Sequence, residues 1–250
     1  MRSTSRIADV SINTVSKLLV DVGMACEKYH FENVKGVTSK RIQCDEIWSF
    51  VYAKQKNLPE HKDGGDVWTW VAIDADTKFV ISWYLGGRDA ETGQEFIEDV
   101  ASRLKNRVQL TTDGLHAYLE AVENSFGNDI DFAQLIKLYG GDQDREKRYS
   151  PAVCTGTRKM RIKGSPEPNH ISTSYAERQN LTMRMSMRRF TRLTNAFSKK
   201  IDNHCYAIAL HFMYYNFCRI HKTLRVTPAM EAGLTKDIWE IEDLVRLIAQ

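Results

Sequence analysis

No C-x-x-C pair occurs in this chain, although it has five cysteines. Cys26, Cys44, Cys154, Cys205 and Cys218 are scattered, so they outline no structural zinc site. Their odd number, with no signal peptide ahead of them, points to a reducing cytosol rather than a disulfide framework. No apolar run is long enough to span a bilayer, so no membrane partner is expected. Internal repeats and low-complexity segments are also missing, which leaves an ordinary folded chain. Net charge is scarce too. A formal +3 over 250 residues says little alone.

What is there is an uneven distribution of charge. Acidic residues gather at 91–99, 120–131 and 231–243, basic ones at 145–163 and 178–200. A one-sided basic segment suits a polyanionic partner. A solvated helix face would give the same pattern, so charge alone leaves both readings open.

Residues 1–30 read as a helix-turn-helix segment. Ser11, Ile12 and Asn13 form the turn, and 14–22 form the second helix. Val15, Leu18, Leu19 and Val22 would pack against Ile7, Ala8 and Val10, leaving Lys17 to face a DNA groove. A plain helical hairpin is the alternative. With little room for a helix before residue 4, the unit reads as clipped. Residues 31–40 are the expected linker.

From residue 41 the period changes. Strands are expected at 41–52, 66–74 and 78–85, the last two as a hairpin. A helix at 92–105, a strand at 107–112, a helix at 115–126 and a strand at 132–138 follow. Residues 140–168 are basic and poor in apolar side chains, and read as a DNA-facing loop. A helix over 169–189, an apolar helix over 202–220 and a helical tail at 226–250 complete the chain. His204, His211 and His221 read as hydrogen-bonded structural histidines. This order matches a ribonuclease H-like α/β core: a mixed five-stranded sheet flanked by helices, over residues 41–225.

Two aspartates sit where apolar strands are expected, Asp45 within the first and Asp113 at the end of the fourth. Glu177 lies in a basic helix among Arg178, Arg184, Arg188, Arg189 and Arg192. Each acid has an ordinary use. Asp45 could be a polar residue on a half-exposed strand, and Glu46 beside it is a competing ligand on the opposite face. Asp113 could cap a helix, and Glu177 could pair with an arginine. Together, at three corresponding places of one fold, they suit another role. Carboxylates hold Mg²⁺ or Mn²⁺ beside a phosphate. Two such ions about 4 Å apart can activate the attacking oxygen and stabilise the leaving one.

Three stretches carry a family likeness: Cys44-Asp-Glu-Ile-Trp-Ser-Phe-Val51, Thr112-Asp-Gly-Leu-His-Ala-Tyr118 and Ser172-Thr-Ser-Tyr-Ala-Glu-Arg-Gln-Asn-Leu181. With the arginine-rich helix after them, they resemble the DDE transposases of the insertion-sequence-one type. The resemblance implies a ribonuclease H-like domain that nicks DNA ends and joins them to a target by transesterification. It implies Asp45, Asp113 and Glu177 as catalytic, metal-holding acids, with two Mg²⁺ or Mn²⁺ ions. Arg178 and Asn180 become helix positions facing the site or the DNA. Lys17, Arg184, Arg188, Arg189 and Arg192 complete the expected contacts to double-stranded DNA, both transposon ends and target. A homodimer or larger synaptic complex, in a bacterial-type cytoplasm on the nucleoid, is the implied setting. A DNA-binding relic or repressor without catalysis, and a nuclease that cuts without joining, are the alternatives.

Overall fold

The structure, a computed structural model, describes residues 1–140, 154–191 and 195–249. Strands β1 (Arg41–Val51), β2 (Gly65–Asp74), β3 (Val80–Gly86), β4 (Gln109–Thr112), β5 (Asp131–Tyr139) and β6 (Cys154–Lys163) form one sheet. Their spatial order is β3-β2-β1-β4-β5-β6. The first three pair antiparallel. β4 lies parallel to both β1 and β5, and β6 returns antiparallel. The helices are α1 (Arg2–Ala8), α2 (Ile12–Asn33), α3 (Ala90–Arg103), α4 (Ala117–Phe126), α5 (Ser174–Ser186), α6 (Ile201–Met213), α7 (Pro228–Glu231) and α8 (Ile241–Arg246).

Alternation along the central strands sends apolar side chains to both faces, as burial on two sides requires. On one face Ile42, Cys44, Trp70 and Ala72 pack with Phe96, Ile97 and Val100 of α3 and Tyr118 of α4. On the other, Ile47, Val71, Ile73 and Val80 pack with Ala176 and Met183 of α5 and Ile208 and Phe212 of α6. At the β3 edge the buried amide of Asn216 closes both open backbone groups of Val80. It accepts from the N–H at 3.0 Å and donates to the carbonyl at 2.9 Å.

Three sequence expectations change. Among the described residues the sheet has six strands, not five. Residues 154–163, expected within a basic loop, form β6. This strand is exposed along nearly its whole length, so it shows no apolar alternation. Its Arg158, Lys159, Arg161 and Lys163 are the charges that keep a sheet edge from pairing further. The rest of that loop, 141–153, lies outside the described residues.

The second helix, expected over 14–22, runs on to Asn33 because its apolar positions continue through Val22, Cys26 and Tyr29. Part of the expected linker is therefore helical. Ser11 caps the helix by accepting from the Thr14 N–H at 3.0 Å. The expected helix-turn-helix packing is not formed: Ile7 is 87% exposed, and Val10 and Leu18 are also exposed. Instead the C-terminal half of α2 buries against the sheet domain. Third, the basic helix is shorter than 169–189. It ends at Ser186, and Arg188–Phe190 form a separate 3-10 turn. Among the described residues no helix is long and apolar enough to cross a membrane.

Gly23 marks where α2 meets α6. A Cβ there would stand 2.3 Å from the backbone oxygen of Tyr206. Gly23→Val should therefore lower the melting temperature, with a cost of about 1–3 kcal/mol from overpacking. An unchanged melting curve would mean that the two helices can separate freely.

Candidate functional site

The register of two parallel strands sets the site. Ile42 is level with Leu110 and Gln43 with Thr111. Two residues farther along each strand, Asp45 and Asp113 stand beside one another just where β4 has ended. Past that end β1 has no paired strand on this side until the single bridge from Val51 to Ser198, so side chains from both its faces can turn into the gap. Glu46 does so from the α4 side. One carboxylate oxygen from each of Asp45, Glu46 and Asp113 can be chosen so that all three lie within 4.8 Å of one another.

Crowding and burial oppose ionisation here. Burial first, then the charge of Asp113, pushes Asp45 up to about 6. The same two causes push Glu46 up to about 8. The side chain of Glu46 is 1% exposed. It accepts from the Tyr118 hydroxyl and from Arg88 Nε, the latter at 3.2 Å. Arg88 also reaches Asp113, with Nη2 to Oδ2 at 3.4 Å, and lies over the Trp68 ring, 4.8 Å from its centroid. Asp113 Oδ1 accepts from the Leu115 N–H at 2.9 Å. This bond turns the chain ahead of α4 and leaves Oδ2 toward the gap.

The third acid comes from α5. The helix has no side-chain cap of its own. Gln43, two residues before Asp45 on the same face of β1, supplies one. Its carbonyl oxygen accepts from the Tyr175 N–H at 2.7 Å and the Ala176 N–H at 3.3 Å. Two open N–H groups of the first turn are thus satisfied by the strand that carries Asp45. Glu177 follows at once and faces that strand, near enough for its charge to help raise Asp45. Its Oε1 accepts from the Thr173 hydroxyl and pairs with Lys137 Nζ of β5 at 2.7 Å. The expected arginine partner is thus a lysine. The acids brought closest together are Asp45, Glu46 and Asp113, with Glu177 held just beside them.

Asn180, one turn beyond Glu177, is buried and donates from Nδ2 to Asp45 Oδ2 at 2.9 Å. It touches an acid of the site rather than lying open to DNA. Arg178 and Arg188 are exposed, and Lys17 is exposed on α2. Arg184 is half-buried. Arg189 is half-buried and donates to Ser198. Arg192 lies outside the described residues. His204 is buried between the hydroxyls of Ser49 and Ser198, 3.0 Å from each, and burial pushes it down to about 4. That is the expected structural histidine.

Lys137, Arg88, Gln43 and Tyr118 are the residues that sequence reasoning missed. Gln43 had a signal, since it shares a strand face with Asp45. Lys137 and Arg88 had none, because only the folded sheet brings them near the acids.

The donor set suits a hard divalent cation. It is all oxygen and carries several carboxylates, and the buried Oδ1 of the neighbouring Asn180 has no hydrogen-bond partner. The site is open: Asp113 and Glu177 keep side-chain exposures of 28% and 38%. A cleft of about 1270 Å³ lies elsewhere, lined by Ile12, Arg188, Lys199 and Asn203 among others. The acids thus form an open surface site, reachable by an extended polymer.

No family model matches the sequence, and no curated protein matches it. Among solved structures the chain is similar to the piggyBac transposase in a cryo-EM structure of its synaptic complex with hairpin DNA. The identity is 10% and the TM-score 0.34, over 84% of this chain and 52% of that one. The chain thus spans about half the length of that protein, and a likeness of this degree does not fix a function.

The raised carboxylates set a pH dependence. Between the ordinary carboxylate range and about 6 for Asp45, or about 8 for Glu46, the folded chain holds protons that the unfolded chain has released. Their contribution to stability therefore falls as pH rises through that window. Metal-free protein should melt lower at about pH 8 than at about pH 5, and Glu46→Gln should flatten the upper part of the slope. A slope identical in wild type and variant would contradict the burial of that charge.

Proposed function

We propose that this chain is a metal-dependent DNA transposase of the insertion-sequence-one type, which cleaves transposon ends and joins them to a target. The observation that carries the reading is the cluster of Asp45, Glu46 and Asp113, within 4.8 Å of one another where β4 ends beside β1, with Glu177 of α5 near enough for its charge to act on Asp45. The three motifs that hold these acids are those that resemble the family.

In this reading Asp45 and Asp113 hold the cation between them, with Glu46 and Glu177 completing the charge on either side. Two Mg²⁺ or Mn²⁺ ions, when bound, would polarise a phosphoryl oxygen and make water or a 3′-hydroxyl acidic at neutral pH. The chain's own residues orient the rest. Gln43 fixes α5 against β1, so Glu177 keeps its height relative to Asp45. Asn180 holds one oxygen of Asp45 and thereby aims the other. Leu115 does the same for Asp113 through its N–H. Arg88 offsets the charge of Glu46 and Asp113.

DNA would lie along the exposed arginines. Arg178 and Arg188 are the strongest candidates for phosphate contacts, which position the duplex without reading its sequence. Half-buried Arg184 and Arg189 and exposed Lys17 of α2 are proposed as further contacts, and Arg192 is proposed from the sequence alone. Because two ends must be brought together, a homodimer or larger synaptic complex is part of the proposal, as is a cytoplasmic, nucleoid-bound setting.

The decisive assay is joining of a labelled 3′-OH donor end to plasmid DNA, with Mg²⁺ or Mn²⁺ against EDTA. Asp113→Asn and Glu177→Gln should each lower joining by at least roughly a hundredfold while leaving the fold intact. Full joining by Asp113→Asn would end the proposal, and cleavage without joining would make the chain a nuclease. Salt-sensitive DNA binding with no metal-dependent step would make it a repressor or relic.

Binding tests the arginines separately. Arg178→Ala and Arg188→Ala should each reduce the slope of log K against log salt by about 1, with equal losses on unrelated sequences. An unchanged slope would remove those residues from the DNA surface.

A further inference from the structure

We propose that Lys137 is a further catalytic residue of this site, a phosphate-facing cation that shares Glu177 with the bound metal. The proposal builds on the metal-dependent reading above. β5 runs parallel to β4, with Gln134 level with Thr112. Lys137, three residues on, is past the end of β4 and flanks the same gap as the acids. Neighbouring residues of a strand point to opposite faces. Ile136 points to Gly114, where an added Cβ would stand 3.1 Å away. Lys137 therefore points to the other face, toward α5.

There its ammonium stands 2.7 Å from Glu177 Oε1. Its charge is also felt at Asp45. It thus lies beside two of the three proposed acids. Its side chain is 31% exposed, so the pair is open to an arriving phosphodiester. Arg88 already lies between Glu46 and Asp113 on the α4 side. On the α5 side, among the described residues, Lys137 is the cation paired with Glu177.

Two effects of opposite sign follow. A divalent ion attracted to Asp45 and Asp113 attracts Glu177 as well, and repels the ammonium held there. Lys137 therefore weakens metal binding. Its flexible stem and three donors let Nζ leave Glu177 for a phosphoryl oxygen without moving the strand. A donor aimed at charge that develops in the transition state speeds the chemical step. One residue thus lowers affinity for the metal and raises turnover once metal and DNA are both present. A merely structural ion pair would not separate these two quantities.

The test compares wild type with Lys137→Met and with Lys137→Arg, which keeps the charge. Lys137→Gln serves as a second neutral variant should methionine disturb the strand. Mn²⁺ binding to the DNA-free full-length chain is followed by electron paramagnetic resonance, joining is measured at saturating metal, and melting temperature checks the fold. For the neutral variants the Mn²⁺ Kd should fall on the order of tenfold, while joining should fall roughly a hundredfold. Lys137→Arg should retain most of both wild-type values. Unchanged or weaker Mn²⁺ binding in the neutral variants, or unchanged joining, would overturn the role of Lys137. Failure of wild type itself to bind Mn²⁺, or binding indifferent to Asp113→Asn, would instead overturn the metal-dependent reading.

Discussion

The parallel pairing of β1 with β4 is the constraint on which the site depends. It sets two aspartates side by side at the point where β4 stops. Carboxylates that share a partly buried place cannot all ionise without a cation among them. The fold commits that charge by strand register, which a single side-chain rotation cannot undo. A one-residue slip would turn Asp45 to the other face and leave Asp113 without its neighbour. The apolar residues on both faces of β1 hold the register. The core and the site are therefore fixed by the same alternation.

Positive charge is arranged around that cluster from both sides of the sheet. Arg88 serves the α4 side, steadied by the Trp68 ring and the buried Glu46. Lys137 serves the α5 side through Glu177. Gln43 ties the two chemical elements together, since it caps α5 from the strand that carries Asp45. A helix with little hydrophobic grip on its polar face is thereby held at a defined height. Exposed Arg178 of that helix, exposed Arg188 of the turn after it and the basic β6 edge lie outside this arrangement, where they cost little desolvation and can meet a polyanion.

Much of the fold was legible because its strands alternate and its helices carry apolar residues at helical spacing. β1 to β5 and α3, α4 and α6 begin within a few residues of where the pattern puts them. β6 was not legible, since an exposed edge strand has no buried face to write a pattern. The far half of α2 was missed because the expected helix was ended at residue 22, while Cys26 and His30 beyond it are what the helix buries. Helix-turn-helix packing was expected from spacing alone, yet Ile7 finds no partner surface. Of the candidate acids, Asp45, Asp113 and Glu177 stood out as charges in unlikely local settings. Asn180 was singled out as well, as a position facing the site or the DNA; its bond to Asp45 needed the fold.

By itself the sequence determined which residues are apolar at which period, and hence the element order and three conspicuous acids. It determined a basic segment next to one of them. Only the tertiary structure decided which groups share the site. Glu46 joins Asp45 because β4 ends where it does. Lys137 meets Glu177 because β5 runs parallel to β4 and continues past its end. Lys137 and Glu177 lie tens of residues apart in the chain. Their meeting is set by strand register and helix docking, which come from the packed core as a whole and leave no local mark in the sequence.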